Sequence, residues 1–187
     1  MKKFCSGFKG PLSYALAGIC LSLGLSASTL AQAIELAAPN VVPVSEQLIS
    51  SGQPTARALE GLGAQGIDAV IYLAPPNVSD AVRDEHLIVS RQGLTFVNIP
   101  IIFNNPTTKD FDTFAGILQS LGDKKVLVHC QVNMRASTMV FLYRVVIGKE
   151  DPVLAYEAVS KVWAPSGPWK KLMLDVLQKH KVNFEPY

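Results

Sequence analysis

From residue 48 to residue 179, short apolar runs alternate with segments bounded by helix caps and stops. Leu48–Ser51 is the first run, ahead of Gly52-Gln53-Pro54. Thr55 can cap a helix to about Gln65, with Gly66 as its stop. Ile67–Leu73 is rich in β-branched residues and predicts a buried strand, closed by Pro75-Pro76-Asn77. Ser79 or Asp80 opens a second helix through Ile88 to Arg91, and Gly93 breaks the chain before a strand at Phe96–Ile99. After the polar Asn104-Asn105-Pro106, Thr107 and Asp110 form a capping box for a helix over Thr108–Leu121. Gly122-Asp123 turns the chain into the apolar Val126–His129. A long helix over Arg135–Ile147 follows, stopped by Gly148. Asp151-Pro152 starts another helix by the Asp-cap and first-turn-Pro pairing, and a last one lies between Pro168 and Lys179. Strands alternating with helices predict an α/β fold with a mostly parallel sheet flanked by helices. Val126–Val128 are apolar on both faces, as a central strand covered on both sides requires. The ligand site of such a sheet lies beyond the carboxyl ends of its strands, where the loop after His129 falls.

The N-terminus has a different pattern. Lys2, Lys3 and Lys9 precede an apolar run from Leu12 to Leu30 that closes on Ala31-Gln32-Ala33. That order predicts a secretory signal peptide at residues 1–33 and one domain at 34–187, periplasmic or secreted. Gly18, Gly24 and the serines of the run favour cleavage over a retained anchor, and Ile19 before Cys20 is bulky for a lipoprotein signal. No stable membrane insertion is expected after cleavage.

Removing the leader changes the charge. The 187-residue chain carries 17 Lys+Arg and 15 Asp+Glu; without the three leader lysines the basic count is 14, and the formal charge moves from +2 to −1. Neither a basic stripe for nucleic acid nor a polybasic membrane patch remains. Cys5 and Cys20 also leave, so Cys130 is the lone thiol of an exported domain. An odd cysteine there is either a reactive group or a small buried hydrophobe.

Its surroundings bear on that choice. His129-Cys130-Gln131-Val132-Asn133-Met134-Arg135-Ala136-Ser137 joins a strand to a helix start. A helix dipole and unpaired backbone N–H groups stabilise a thiolate there, and the same donors form a nest for a tetrahedral oxyanion. Arg135 offers a planar fork that can hold phosphate oxygens bidentately. Such a site is equipped for covalent phosphoryl transfer.

This loop resembles the phosphate-binding loop of the protein tyrosine and dual-specificity phosphatases. Ile49–Leu73, opening on Ser51-Gly52-Gln53-Pro54, is similar to the start of the bacterial beta-lactamase-hydrolase-like branch of that cysteine-dependent superfamily, and Phe96–Pro100 to its third strand. The resemblance covers about Leu48 to Lys179. It implies the three-layer cysteine-phosphatase fold, Cys130 as nucleophile, Arg135 as phosphate ligand and Gln131, Val132, Asn133, Met134 and Ser137 as the loop. His129 would support the loop, and Ser137 would ease thiolate departure or be an ordinary helix serine. The Ser-Gly-Gln-Pro segment carries little chemistry of its own.

Two departures stand out. The family places five residues between Cys and Arg, whereas Cys130 and Arg135 are separated by four, Gln131 to Met134. Either the loop is one residue tighter and Arg135 still binds phosphate, or Ala136 occupies the Arg position. The family's glycine is absent; Asn133 can substitute because Asn tolerates left-handed angles. The family's acid-loop Asp is replaced by Asn104 and Asn105, which cannot donate a proton as an acid, so no general acid is assigned. Asp110 reads as a cap and Asp112 as a solvated helix residue. His86 and His180 lack metal-ligand spacing, so no metal is expected, and the motif calls for no cofactor. Trp163 and Trp169 read as packing residues. The expected activity is hydrolysis of phosphate monoesters on a small molecule or a protein, phosphotyrosine included. Rhodanese-type sulfur transfer and a non-catalytic anion- or partner-binding pseudophosphatase are the alternatives.

Overall fold

The computed structural model describes residues 36–187, and the predicted leader lies outside them. Five strands form one sheet: β1 Val42–Pro43, β2 Leu48–Ser51, β3 Ala69–Tyr72, β4 Thr95–Asn98 and β5 Val126–His129. Their order is β1-β2-β5-β3-β4; only the β1–β2 pair is antiparallel. The helices are α1 Ala56–Glu60, α2 Glu85–Ser90, α3 Thr108–Ser120, α4 Met134–Val146, α5 Pro152–Ser160 and α6 Gly167–Lys179. No described helix is long and apolar enough to cross a membrane.

Alternation along the strands sorts side chains between two cores. Ala69, Ile71, Val126 and Val128 face a large core with Phe111, Met139, Tyr156 and Leu172 from α3 to α6. Ile49, Val70 and Leu127 face a smaller one with Leu59, Leu62 and Val89 on the α1 and α2 side. The result is the three-layer arrangement expected from the sequence. β5 lies between β2 and β3, which are consecutive in the chain, so a crevice opens at the carboxyl end of β5.

Local signals place most boundaries. Thr107 accepts from Asp110 N while Asp110 Oδ2 accepts from Thr107 N at 2.8 Å, completing the capping box of α3. Asp151 Oδ1 accepts from the N–H groups of Val153 and Leu154 at the start of α5.

Two helices differ from expectation. The helix predicted from Thr55 to Gln65 is α1 followed by a separate 3₁₀ turn at Gly63–Gln65. Gly61 and Gly63 each cost a helix interior about 1 kcal/mol relative to Ala, enough to break it. The helix predicted from Ser79 or Asp80 starts only at Glu85. The Asp80 carboxylate that would cap it instead accepts from Gln131. Ala81 and Val82 pack against opposite cores, which neighbours on one helical turn could not do. The two-residue β1 had no periodic signal, and its Pro43 sits on an edge strand, where a missing N–H is tolerated.

Candidate active site

The chain leaves β5 at His129 and enters α4 at Met134. The intervening loop is held from outside by its carbonyls. Gln131 O accepts from Gln53 N at 3.0 Å, and Val132 O accepts from Asn40 Nδ2 at 3.0 Å. Cys130 N donates to Ser51 O at 3.2 Å. Asn133 takes a left-handed conformation, φ 69°, and its Nδ2 donates to Asn40 O at 2.6 Å and Ser50 Oγ at 3.1 Å. An isolated antiparallel bridge between Gly52 and Val132 ties the loop to the end of β2, while the N–H groups of Gln131, Met134, Arg135 and Ala136 have no acceptor among the described residues. Free donors at a helix start form a receptor for an oxyanion.

The Ser51-Gly52-Gln53-Pro54 segment does more than the sequence suggested. A Cβ on Gly52 would lie 2.8 Å from Gln131 O, so only glycine lets this strand end approach the loop. Gln53 holds the loop with its backbone and a buried carboxylate with its side chain. Its Nε2 donates to Glu85 Oε2 at 2.9 Å. Glu85 Oε1 lies 2.7 Å from His129 Nε2. His129 is fully buried and stacks on Tyr72 at 4.7 Å between ring centroids. The residue preceding Cys130 is thus fixed by its close contact with Glu85 and a ring stack. Burial pushes the Tyr72 hydroxyl up from its ordinary pKa; the nearby charges of Glu85, Asp80 and Cys130 add to this, and Arg135 opposes it.

Cys130 itself is fully buried. Arg135 is 4% exposed, yet no carboxylate lies within ion-pair distance of it among the described residues. Its Nε donates to Ile101 O at 3.1 Å and its Nη1 to Gln131 Oε1 at 3.4 Å. The guanidinium carbon stands 5.0 Å above the Phe103 ring. Trp163 and Trp169 pack around that ring, and Trp169 Nε1 donates to Phe103 O at 2.8 Å. The tryptophans are packing residues, and what they brace is the platform under Arg135. Two of the five guanidinium N–H donors are engaged by protein, which leaves the rest for an anion.

The remaining predicted residues are spread around this centre. Met134 is half-buried and Val132 exposed. Ser137 is buried and its Oγ donates to Met134 O at 3.3 Å, inside its own helix. Asn104 and Asn105 are exposed, and Asp112 pairs with Lys179 at 3.0 Å. Among the described residues no group of His, Cys, Asp and Glu is arranged to hold a metal ion. Sequence reasoning missed Asn40, Glu85 and Asp80. Only Asp80 left a trace, as a helix cap, and nothing pointed to the burial of Glu85.

A cysteine and an arginine flanking an amide nest, at the carboxyl end of the central strand of a three-layer sheet, define a cysteine-dependent phosphatase-like protein. The family model described as DSP-PTPase phosphatase fused to NAD+ kinase matches residues 41–167, and the chain belongs to that family. It is 31% identical over 123 residues to the Beta-lactamase hydrolase-like protein of Xylella fastidiosa, covering 62% of this chain and 28% of that one. The chain thus spans less than a third of that curated relative. A putative phosphatase (DUF442) from Shewanella putrefaciens superposes with a TM-score of 0.71 at 30% identity, over 76% of this chain and 94% of the other. The active form of Tk-PTP has the same fold, with a TM-score of 0.60 at 20% identity, over 78% and 99%.

Proposed function

We propose that this protein hydrolyses phosphate monoesters through a phosphocysteine intermediate on Cys130. The observation that carries the reading is the buried Arg135 guanidinium, which has no carboxylate partner among the described residues and stands in the same loop as the free amides of Gln131, Met134 and Ala136. A charge removed from water without a counterion costs several kcal/mol. A phosphate dianion supplies that counterion and fills the nest at once. In the proposed reaction the Cys130 thiolate attacks phosphorus from below, and the nest and Arg135 hold the three equatorial oxygens. The S–P bond forms as the bond to the alcohol oxygen breaks. Water then attacks phosphorus and releases inorganic phosphate.

The leader read at 1–33 puts this activity outside the cytoplasm. An exported chain whose intact mass begins near Ile34 agrees; retention of Met1–Ala33 refutes it. The substrate is a phosphorylated small molecule or protein side chain.

The test pairs turnover with protection. The protein is expected to release phosphate from an aryl phosphate, with vanadate as a competitive inhibitor. Vanadate should also protect Cys130 from alkylation by iodoacetate, since both occupy the same nest. No release from a broad panel of phosphoesters, with alkylation indifferent to vanadate, overturns the reading. A persulfide mass increment on Cys130 after thiosulfate, with cyanide as acceptor, replaces it with sulfur transfer.

A further inference from the structure

We propose that Asp80, on the segment between β3 and α2, is the general acid and base of this reaction. The inference rests on the phosphatase reading and supplies the proton that the leaving oxygen needs. Neither Asn104 nor Asn105 can provide it. Four carboxylates are engaged elsewhere. Asp110 is engaged by Thr107 in the α3 capping box, and Asp112 by Lys179. Glu85 is buried under His129 and Gln53. Asp68 accepts from Lys125 N at 2.8 Å, just before the amino ends of β3 and β5 and away from the loop.

Asp80 is exposed, and its Oδ1 accepts from Gln131 Nε2 at 2.6 Å. Gln131 immediately follows Cys130, and its Oε1 accepts from Arg135 Nη1. The guanidinium therefore fixes which way the Gln131 amide points, with its NH2 toward Asp80. One carboxylate oxygen is thereby anchored to the loop. Oδ2 has no partner among the described residues and is free to carry a proton. An exposed carboxyl anchored to the residue after the nucleophile, with one oxygen unengaged, has the access to solvent that a group must have to reload its proton each cycle. Asp80, Glu85, Cys130 and Arg135 all act electrostatically on Tyr72 of β3.

The proton balance is direct. In the first step the P–O electron pair leaves with the alcohol oxygen, which takes the Oδ2 proton. Asp80 becomes a carboxylate. In the second step that carboxylate accepts a proton from the water attacking phosphorus, the S–P bond breaks, and the thiolate and protonated Asp80 are restored.

The isosteric Asp80→Asn keeps an oxygen to accept from Gln131 and removes only the acid. It is expected to lower turnover of phenyl phosphate, whose leaving group needs a proton, by about 10²–10⁴-fold. Turnover of p-nitrophenyl phosphate, which departs unaided, should stay within roughly 10-fold, since only the acid's share of the barrier is lost. The alkaline limb of the kcat/KM profile for phenyl phosphate should disappear. An equal loss on both esters marks a binding role and overturns the proposal, as does an unchanged profile. Parent protein that hydrolyses neither ester overturns the phosphatase reading, and this inference with it. Active parent protein with an indifferent Asp80→Asn overturns this inference alone.

Discussion

Cys130→Ser is expected to abolish turnover while leaving the oxyanion site intact. The substitution is nearly isosteric at a fully buried position. A buried hydroxyl without a partner costs about 1–3 kcal/mol, less than the total stability of a typical domain, so the fold should survive. Chemistry should not. A serine hydroxyl stays protonated where a thiol can ionise, and nothing in the loop acts as a base toward it: His129 Nε2 is held by Glu85. Loss of a covalent nucleophile costs on the order of 10⁴–10⁶-fold in kcat. Phosphate should bind about as tightly as to the parent, because the backbone donors and Arg135 remain. Calorimetric titration with phosphate and steady-state release from an aryl phosphate read the two quantities separately. Turnover within 10-fold of the parent would show that Cys130 is a packing residue and would remove the basis for a phosphocysteine.

The parts of this site legible in the sequence are those built from neighbours. Val126–Val128 are all apolar, so the central strand and the position of Cys130 after it could be read directly. Asn133 stands where the loop needs a left-handed residue, and its φ of 69° follows from four local residues and a helix start. The capping box of α3 and the Asp-Pro start of α5 are equally local. What stayed hidden depends on contacts far apart in sequence. Glu85 sits in Arg83-Asp84-Glu85-His86, which reads as a solvated polar stretch, yet it is 5% exposed because His129 and Gln53 converge on it. Asn40 precedes every predicted element and bonds to Val132 and Asn133, more than ninety positions on. Asp80 carried a readable helix-cap signal, and the tertiary bond to Gln131 outcompeted it. Propensity and capping are worth about 1 kcal/mol each, which one charge-assisted bond can override. The choice between the two placements of Arg135 was open for the same reason, since the contacts that hold it come from Ile101 and Phe103 on another segment.

Arg135 separates function from stability more sharply than any other position. The guanidinium is 4% exposed without a carboxylate partner among the described residues, a costly arrangement for folding alone. Arg135→Met keeps a long side chain over Phe103 and removes the buried charge. Replacing a buried charged group with an apolar one of similar volume is commonly neutral or stabilising, so this variant should melt no lower than the parent. Its vanadate affinity should fall by about 10- to 150-fold, the equivalent of 1.5–3 kcal/mol for a lost charge-assisted contact. Its kcat/KM should fall further, by roughly 10²–10³ beyond the binding loss, because the fork also steadies charge that develops on the equatorial oxygens. Arg135→Lys should recover little of either. A lysine ammonium cannot donate to Ile101 O and to a phosphate from one plane, and it loses the flat stack on Phe103. Thermal melts, vanadate inhibition constants and kcat/KM on one aryl phosphate decide the matter together. If Arg135→Met lowers the melting temperature by several degrees and leaves vanadate inhibition unchanged, the residue is a structural brace between the loop and Phe103. The tighter-loop placement of the arginine then fails, and the anion must be held by the amide nest alone.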